Sequence, residues 1–408
     1  MQNKILINIL PKYLKPVAKF IRHKEQPSGL STTRFIQDFS VCMIPKATFS
    51  RSIADLSENI FLEGSEESLI YFTPGLIGEH VSRKIFSKNL PQNLKDSVSI
   101  KGSELLDKAI DNNQLKEDNK QILPVKAAIA LTAMIIPLTE YSLNYIKNLL
   151  TLKIFKKSDF KNIASLEKNQ ENKIQQEKVR RSAKRHIGFA AACYSLCLGL
   201  AALIGTKGKN SKILQEISKL IVAPGTKLFG KYPKIKNFVN KYFCMDFNSE
   251  NGKLVMSKGQ LTTCVLVGGC GYFGASADRG KENLKETATR FPIVGLYVIT
   301  GSELVENGLK KLLYKLGKCK DLIDKNLKTP DFNELEDLAY KLSKSKKTSV
   351  QKEYKSLVKQ KCLISGLPFV FSIGVMGFFV SGITNYFTRK RYEKAKINTK
   401  NLDTNASK

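Results

Sequence analysis

Long uncharged runs alternate along the chain with stretches dense in lysine. Ile187 to Thr206 carries no charge. At a rise of about 1.5 Å per residue it would extend about 30 Å, the thickness of a bilayer's hydrocarbon core. Leu363 to Thr388 is longer and equally uncharged. Bases bracket both runs. Arg180, Arg181, Lys184 and Arg185 precede the first, and Lys207 follows it. Lys359 and Lys361 precede the second, and Arg389, Lys390 and Arg391 follow. An apolar block between cationic flanks is the pattern of a membrane span, because long basic side chains reach the headgroups.

Three further stretches are shorter or less apolar. Gly259 to Ala277 is uncharged but rich in Gly, Ser and Thr. Ala127 to Leu138 is uncharged but too short to span alone, and it lengthens if Lys126 snorkels. Phe291 to Ser302 is equally short and ends at Glu303. The predicted spans therefore lie near 187–206, 259–277, 291–305 and 363–388, with a fifth candidate near 122–143. The fold class is all-α: a multi-pass helical membrane protein with a soluble N-terminal region and basic helical connectors. Its parts are a basic amphipathic segment (1–25), a soluble, mostly helical region (26–120) and a membrane-associated helical bundle (121–408).

Each region has its own pattern. In the N-terminal segment Leu6, Leu10, Leu14 and Val17 share a helical face, with Lys elsewhere, which suits an anionic membrane surface. Acids collect in the next region at Asp55, Glu58, Glu63, Glu66 and Glu67. There the pattern predicts one helix ended by Gly64 and a second capped by Ser65 and broken at Thr73-Pro74-Gly75. Thr329 and Pro330 read as the cap and first turn of another helix. The stretch 159–186 reads as a helix continuous with the span that begins at Ile187.

Composition narrows the function classes. Of 408 residues, 67 are Lys or Arg and 36 are Asp or Glu, a net charge of +31. Only 11 of the 67 bases are Arg, whereas readers of bases and phosphates lean on Arg's planar fork. The excess lies beside the apolar runs. The partner it suggests is a bilayer with anionic headgroups, and nucleic acid is disfavoured. Eight Cys in a chain of this length exclude a small disulfide scaffold. Three His, with no metal-ligand spacing, give no metal site, and no catalytic constellation or cofactor is expected.

Candidate residues are few. Ala191, Ser195 and Gly199 recur every fourth position and give the first span a small-residue face, suited to packing another helix, within the chain or in a second copy. Glu140 and Glu303 lie at the polar ends of apolar helices, where an acid pairs with a base or serves a pathway. Their surroundings match: Thr139–Leu150 and Ser302–Leu313 align Glu140 with Glu303, Asn144 with Asn307 and Lys147 with Lys310. A duplicated unit and chance likeness between Lys/Leu helices explain that match equally. Gly269, Gly271 and Gly274 form a GxGxxG, the weak cofactor-binding candidate of a soluble dinucleotide enzyme. The acid after it comes late and no further strands follow.

The functional expectation is thus an integral membrane protein with a structural or interaction role. A small-molecule or ion transporter and the dinucleotide enzyme are the alternatives. The basic clusters before Ile187 and after Thr388 place both termini on the cytoplasmic side. Cys244 and Cys319 are then expected outside and Cys42 inside.

Overall fold

The protein is described by a computed structural model covering residues 10–25, 30–167, 170–250, 252–324 and 326–406. The fold is all-α. The longer helices are α1 (Leu14–Glu25), α2 (Leu30–Thr48), α3 (Ile53–Thr73), α4 (Asn113–Thr132), α5 (Ile135–Phe155), α6 (Lys173–Lys207), α7 (Lys258–Asp278), α8 (Lys281–Leu296), α9 (Ser302–Lys315), α10 (Leu335–Lys346), α11 (Val350–Phe371) and α12 (Val380–Ala406). Among the described residues the strands are β1 (Asn248–Glu250) and β2 (Lys253–Val255), one antiparallel hairpin. It turns at Gly252, whose φ of +77° is cheap only for glycine.

The helices form two compact units. One comprises Met1–Thr48 and Leu296–Ile383, the other Phe49–Gly295 and Thr384–Lys408. In the first, Leu10, Leu14, Ala18 and Ile21 pack with Leu313, Phe332, Leu335, Tyr354 and Leu357 in one apolar core. The N-terminal segment is therefore seated on protein, where a membrane-surface position was expected. Val17 lies outside that buried face and Leu6 falls outside the described residues. α10 starts from a capping box of Asp331 and Glu334, two residues beyond the expected cap at Thr329. Gly377 lets the backbone approach Val41 and Pro45 of α2, where a Cβ would sit 2.6 Å from both the Val41 carbonyl oxygen and the Pro45 ring.

The second unit is built around α4 and α5. α4 buries two faces. Ile122, Leu123 and Ala127 meet Leu94, Leu105, Ile204 and Leu214. Val125, Ile129 and Ala133 meet Leu90, Val98, Phe247 and Leu254. α3, α6 and α7 pack on α5. α3 runs unbroken through Gly64 and Ser65, so neither residue caps a helix. A helical glycine costs about 1 kcal/mol, and docking along α5 outweighs it. α6 is capped by the Asn172 side chain, which accepts from the Ile174 amide, and runs for 35 residues, joining Lys173–His186 to the apolar run. The expected helix does not extend back to 159, where a separate short helix, Phe160–Ile163, stands.

Among the described residues three π-helical stretches occur, at Pro74–Ser82, Tyr297–Gly301 and Ser372–Phe379. The first begins at a proline, and the others closely follow Pro292 and Pro368. Proline lacks the N–H for the i→i−4 bond and its ring clashes with that carbonyl, so the local register widens.

Among the described residues, three helical stretches are long and apolar enough to cross a membrane: Asn113–Phe155, Lys173–Asn210 and Val350–Lys394. They contain the runs at 122–143, 187–206 and 363–388. Their burial differs widely: 72% of the first apolar window is covered by protein, against 17% and 22% of the others.

Candidate functional site

The exposed face of α6 is the first site. Ala191, Ser195 and Gly199 are all exposed on it, and nothing lies within 4 Å of where a Cβ of Gly199 would stand. Gly188, Ala192, Ala202 and Thr206 are exposed as well. Gly188, Ala192, Ser195, Gly199, Ala202 and Thr206 follow a 4-3-4-3-4 spacing, the period of a seam between helices at a shallow crossing angle. Ser195 donates its hydroxyl to Ala191 O at 2.9 Å, and Thr206 donates to Ala202 O at 2.8 Å. Both hydroxyls are thereby satisfied within the helix, which suits a surface without water. The opposite face of α6 buries Val179, Ala183, Ala190, Ala201 and Ile204.

The second site is the seam between α5 and α7. Glu140, Asn144, Asn148 and Thr151 lie one turn apart on the buried face of α5. α7 answers with glycines. A Cβ on Gly268 would strike the Glu140 carboxylate, and one on Gly271 would strike the Tyr141 backbone. Asn148 donates to Ala275 O at 3.0 Å, across the seam. Glu140 Oε2, Asn144 Oδ1 and Asn148 Oδ1 have no hydrogen-bond partner. Nearby, Tyr272 donates to Glu66 Oε2 at 2.7 Å. Glu303 is placed differently: it is exposed in the first turn of α9, in the other unit, and Asn307 is exposed beside it. The two acids share local sequence without sharing an environment.

The acids of α3 form the third constellation. Asp55, Glu58, Glu63, Glu66 and Glu67 are all buried, although their density suggested a soluble surface. Glu58 accepts a two-pronged bond from Arg279, with both distances 2.7 Å, and a further bond from Thr151. Arg279 is itself fully enclosed. Burial alone would raise the Glu58 carboxyl, but the charges of Arg279 and Lys147 outweigh it and hold the carboxyl below its ordinary range. Arg51 grips Glu286 through both nitrogens, at 2.8 and 3.0 Å, and its Nε reaches Asp55 at 3.3 Å. Burial raises the Asp55 carboxyl against the opposing pull of Arg51. Each arginine joins segments remote in sequence, Arg51 to Glu286 and Arg279 to Glu58, so these pairs fix tertiary register.

Lys126 gives a fourth. It does not snorkel. Its ammonium is buried in α4, 2.9 Å from Asp246 and 2.8 Å from Val98 O. Asp246 accepts also from the Gly102 amide at 2.8 Å. Burial raises the Asp246 carboxyl, and the neighbouring Lys126 limits that rise.

Gly269, Gly271 and Gly274 lie inside α7, well past its N-terminus, so no strand runs directly into them and no turn forms there. A phosphate cradle needs that turn and a helix N-terminus. Here the glycines admit neighbours instead: Phe291 at Gly269, the Tyr141 backbone at Gly271 and the Tyr145 hydroxyl at Gly274. Cys193 and Cys197 lie along α6, and His186 stacks on Tyr145 with centroids 4.4 Å apart. Cys244 and Cys319 are buried, so labelling there would report burial rather than sidedness.

Sequence reasoning missed Arg51, Arg279 and Asp246. A faint signal existed for Arg279, an isolated arginine beside Gly280, whose φ is +112°. No family model matches the chain, and neither a curated protein nor a solved structure matches it.

Proposed function

We propose that the chain is a multi-pass membrane protein whose role is structural: it associates with another membrane helix through the small-residue face of α6. The observation that carries this reading is α6 itself. Its apolar half is uncharged from Ile187 to Thr206, and only 17% of its apolar window is covered by protein. Its exposed hydroxyls bond their own backbone. In water such a face is a liability; in lipid it costs little, and its small residues allow close approach. The helices packed on α6 lie at the same depth, with their polar side chains turned into the bundle. The basic clusters before Ile187 and after Thr388 then lie on the cytoplasmic side, with both termini.

Carbonate washing of membranes tests insertion, and protein released to the supernatant contradicts it. Association is tested by cysteine cross-linking along α6 in native membranes. Gly199→Leu should abolish a cross-link that wild type forms. Wild type forming none contradicts the association.

Transport has one observation in its favour, the unpartnered Glu140 Oε2 buried between α5 and α7. Glu140→Gln that abolishes flux while leaving protein amount unchanged would favour it.

A further inference from the structure

A basic groove runs along the N-terminal half of α6, just before the apolar run, with a cavity volume of about 1000 Å³. Lys173, Lys178, Arg181 and Arg185 line it, against the two acids Glu177 and Asp278. Lys173, Lys178 and Arg185 make no salt bridge among the described residues. Arg181 meets Glu177 at 3.2 Å, but both side chains are largely exposed and such a pair holds weakly. The groove therefore has unspent positive charge, including two guanidinium forks suited to a phosphate. His186 closes its upper end, held by the Tyr141 hydroxyl at 2.5 Å from Nδ1 and stacked on Tyr145.

The row continues upward. Lys178, Arg185, Phe189, Leu196 and Leu203 follow one another at seven- and four-residue steps, so they share one stripe of the helix. Phe189, Leu196 and Leu203 are exposed, Leu196 by 75%. Lys178 to Arg185 rises about 10 Å, enough to cross one headgroup layer of roughly 5–8 Å. One helix thus presents cations at headgroup level and an uncovered apolar strip at acyl-chain level.

We propose that this groove is a binding site for an anionic phospholipid. Arg181 and Arg185 take its phosphate, and its acyl chains lie along Phe189, Leu196 and Leu203. The proposal deepens the membrane reading of α6 and rests on it. A free phosphate offers the same headgroup chemistry but would leave the apolar strip uncovered. The lipid is therefore the expected ligand.

The test uses the full chain purified in a neutral detergent, with thermal unfolding followed on titration with phosphatidylglycerol, phosphatidylcholine or inorganic phosphate. Phosphatidylglycerol should raise the transition temperature, and the other two should not at equal concentration. The double variant Arg181→Gln/Arg185→Gln should weaken the apparent affinity roughly tenfold or more, as expected for two lost headgroup charges. Lys209→Gln, an exposed base beyond the far end of α6, should leave it unchanged. An equal response to phosphatidylcholine, a full response to inorganic phosphate, or an unaltered response in the double variant would each overturn the proposal. Carbonate release of the protein, by contrast, removes the membrane reading itself, so the two failures are distinguishable.

Discussion

The stretch Asn113–Phe155 and α6 are equally able, by length and composition, to cross a bilayer, yet protein covers one and leaves the other bare. The difference lies in where charge has been placed. α4 carries Lys126 in its middle and meets Asp246 there, and polar groups line the buried face of α5. α6 has no charge from Ile187 to Thr206, and its hydroxyls are turned back on its own backbone. A run of apolar residues thus says that a helix avoids water. It does not say whether protein or lipid keeps the water away.

The comparison breaks first at Lys126. Lys126→Ala leaves Asp246 buried without its cation, and removing one partner of a buried pair costs about 3–5 kcal/mol. The expected outcome is a sharp fall in unfolding temperature of the purified protein. An unchanged transition would mean that α4 is not the enclosed helix of the pair.

Leu196→Lys probes the other side. Leu196 is among the most exposed apolar residues of α6. A lysine near the middle of a lipid-facing span costs about 2.5–3.5 kcal/mol on insertion scales. The variant should lose membrane-integrated protein in a carbonate assay. If the face met water instead, the same change would leave the yield intact or improve it.

Glu58→Gln tests whether the buried acids of α3 act as structure. The variant keeps the shape and loses the charge facing Arg279, at a cost of about 1.5–3 kcal/mol near neutral pH. Because the folded carboxyl titrates below its ordinary value, its contribution is full above pH 4.5 and is lost as pH falls. Wild type should therefore lose its advantage over the variant progressively as pH falls below about 4.5. Asp55 and Asp246 act in the opposite sense, since their raised carboxyls accept protons in the fold first. The difference between variant and wild type isolates Glu58. A constant difference across that range would remove the charge from the account.

Much of the architecture was legible, and for a physical reason. Helical periodicity and uncharged length are local properties, so the helices at 187–206 and 363–388 follow directly. What covers a helix is not local. The acids of α3 looked like a solvated face because their partners, Arg279 and Glu286-bound Arg51, lie far along the chain or just outside the helix. Gly64 read as a stop because its cost is local, while the docking that outweighs it comes from α5. Glu140 and Glu303 had matching neighbours in sequence, and only packing separates them. That Ala191, Ser195 and Gly199 share one face of a helix was legible, and the structure leaves that face exposed, whereas the basic groove beneath it needed α7's Asp278 and the fold of α6 to become a cavity.

The smallest effects are the most discriminating, because the same substitution is made on both sides of the comparison. Gly271 faces α5, and a Cβ there would lie 2.6 Å from the Tyr141 carbonyl oxygen and 2.9 Å from its Cα. Backbone cannot rotate away as a side chain can, so the two helices must part, at about 1–3 kcal/mol. Gly199 has open space where its Cβ would stand. There Ala only removes the backbone entropy of a helical glycine, a gain of up to about 1 kcal/mol. Gly271→Ala should therefore lower the unfolding temperature, and Gly199→Ala should hold or raise it. Opposite signs for one chemical change would mean that α7's glycines exist to admit a neighbour already in place. Those of α6 would then be waiting for one, because a helix already closed against a partner in the purified protein would lose stability at Gly199 as well.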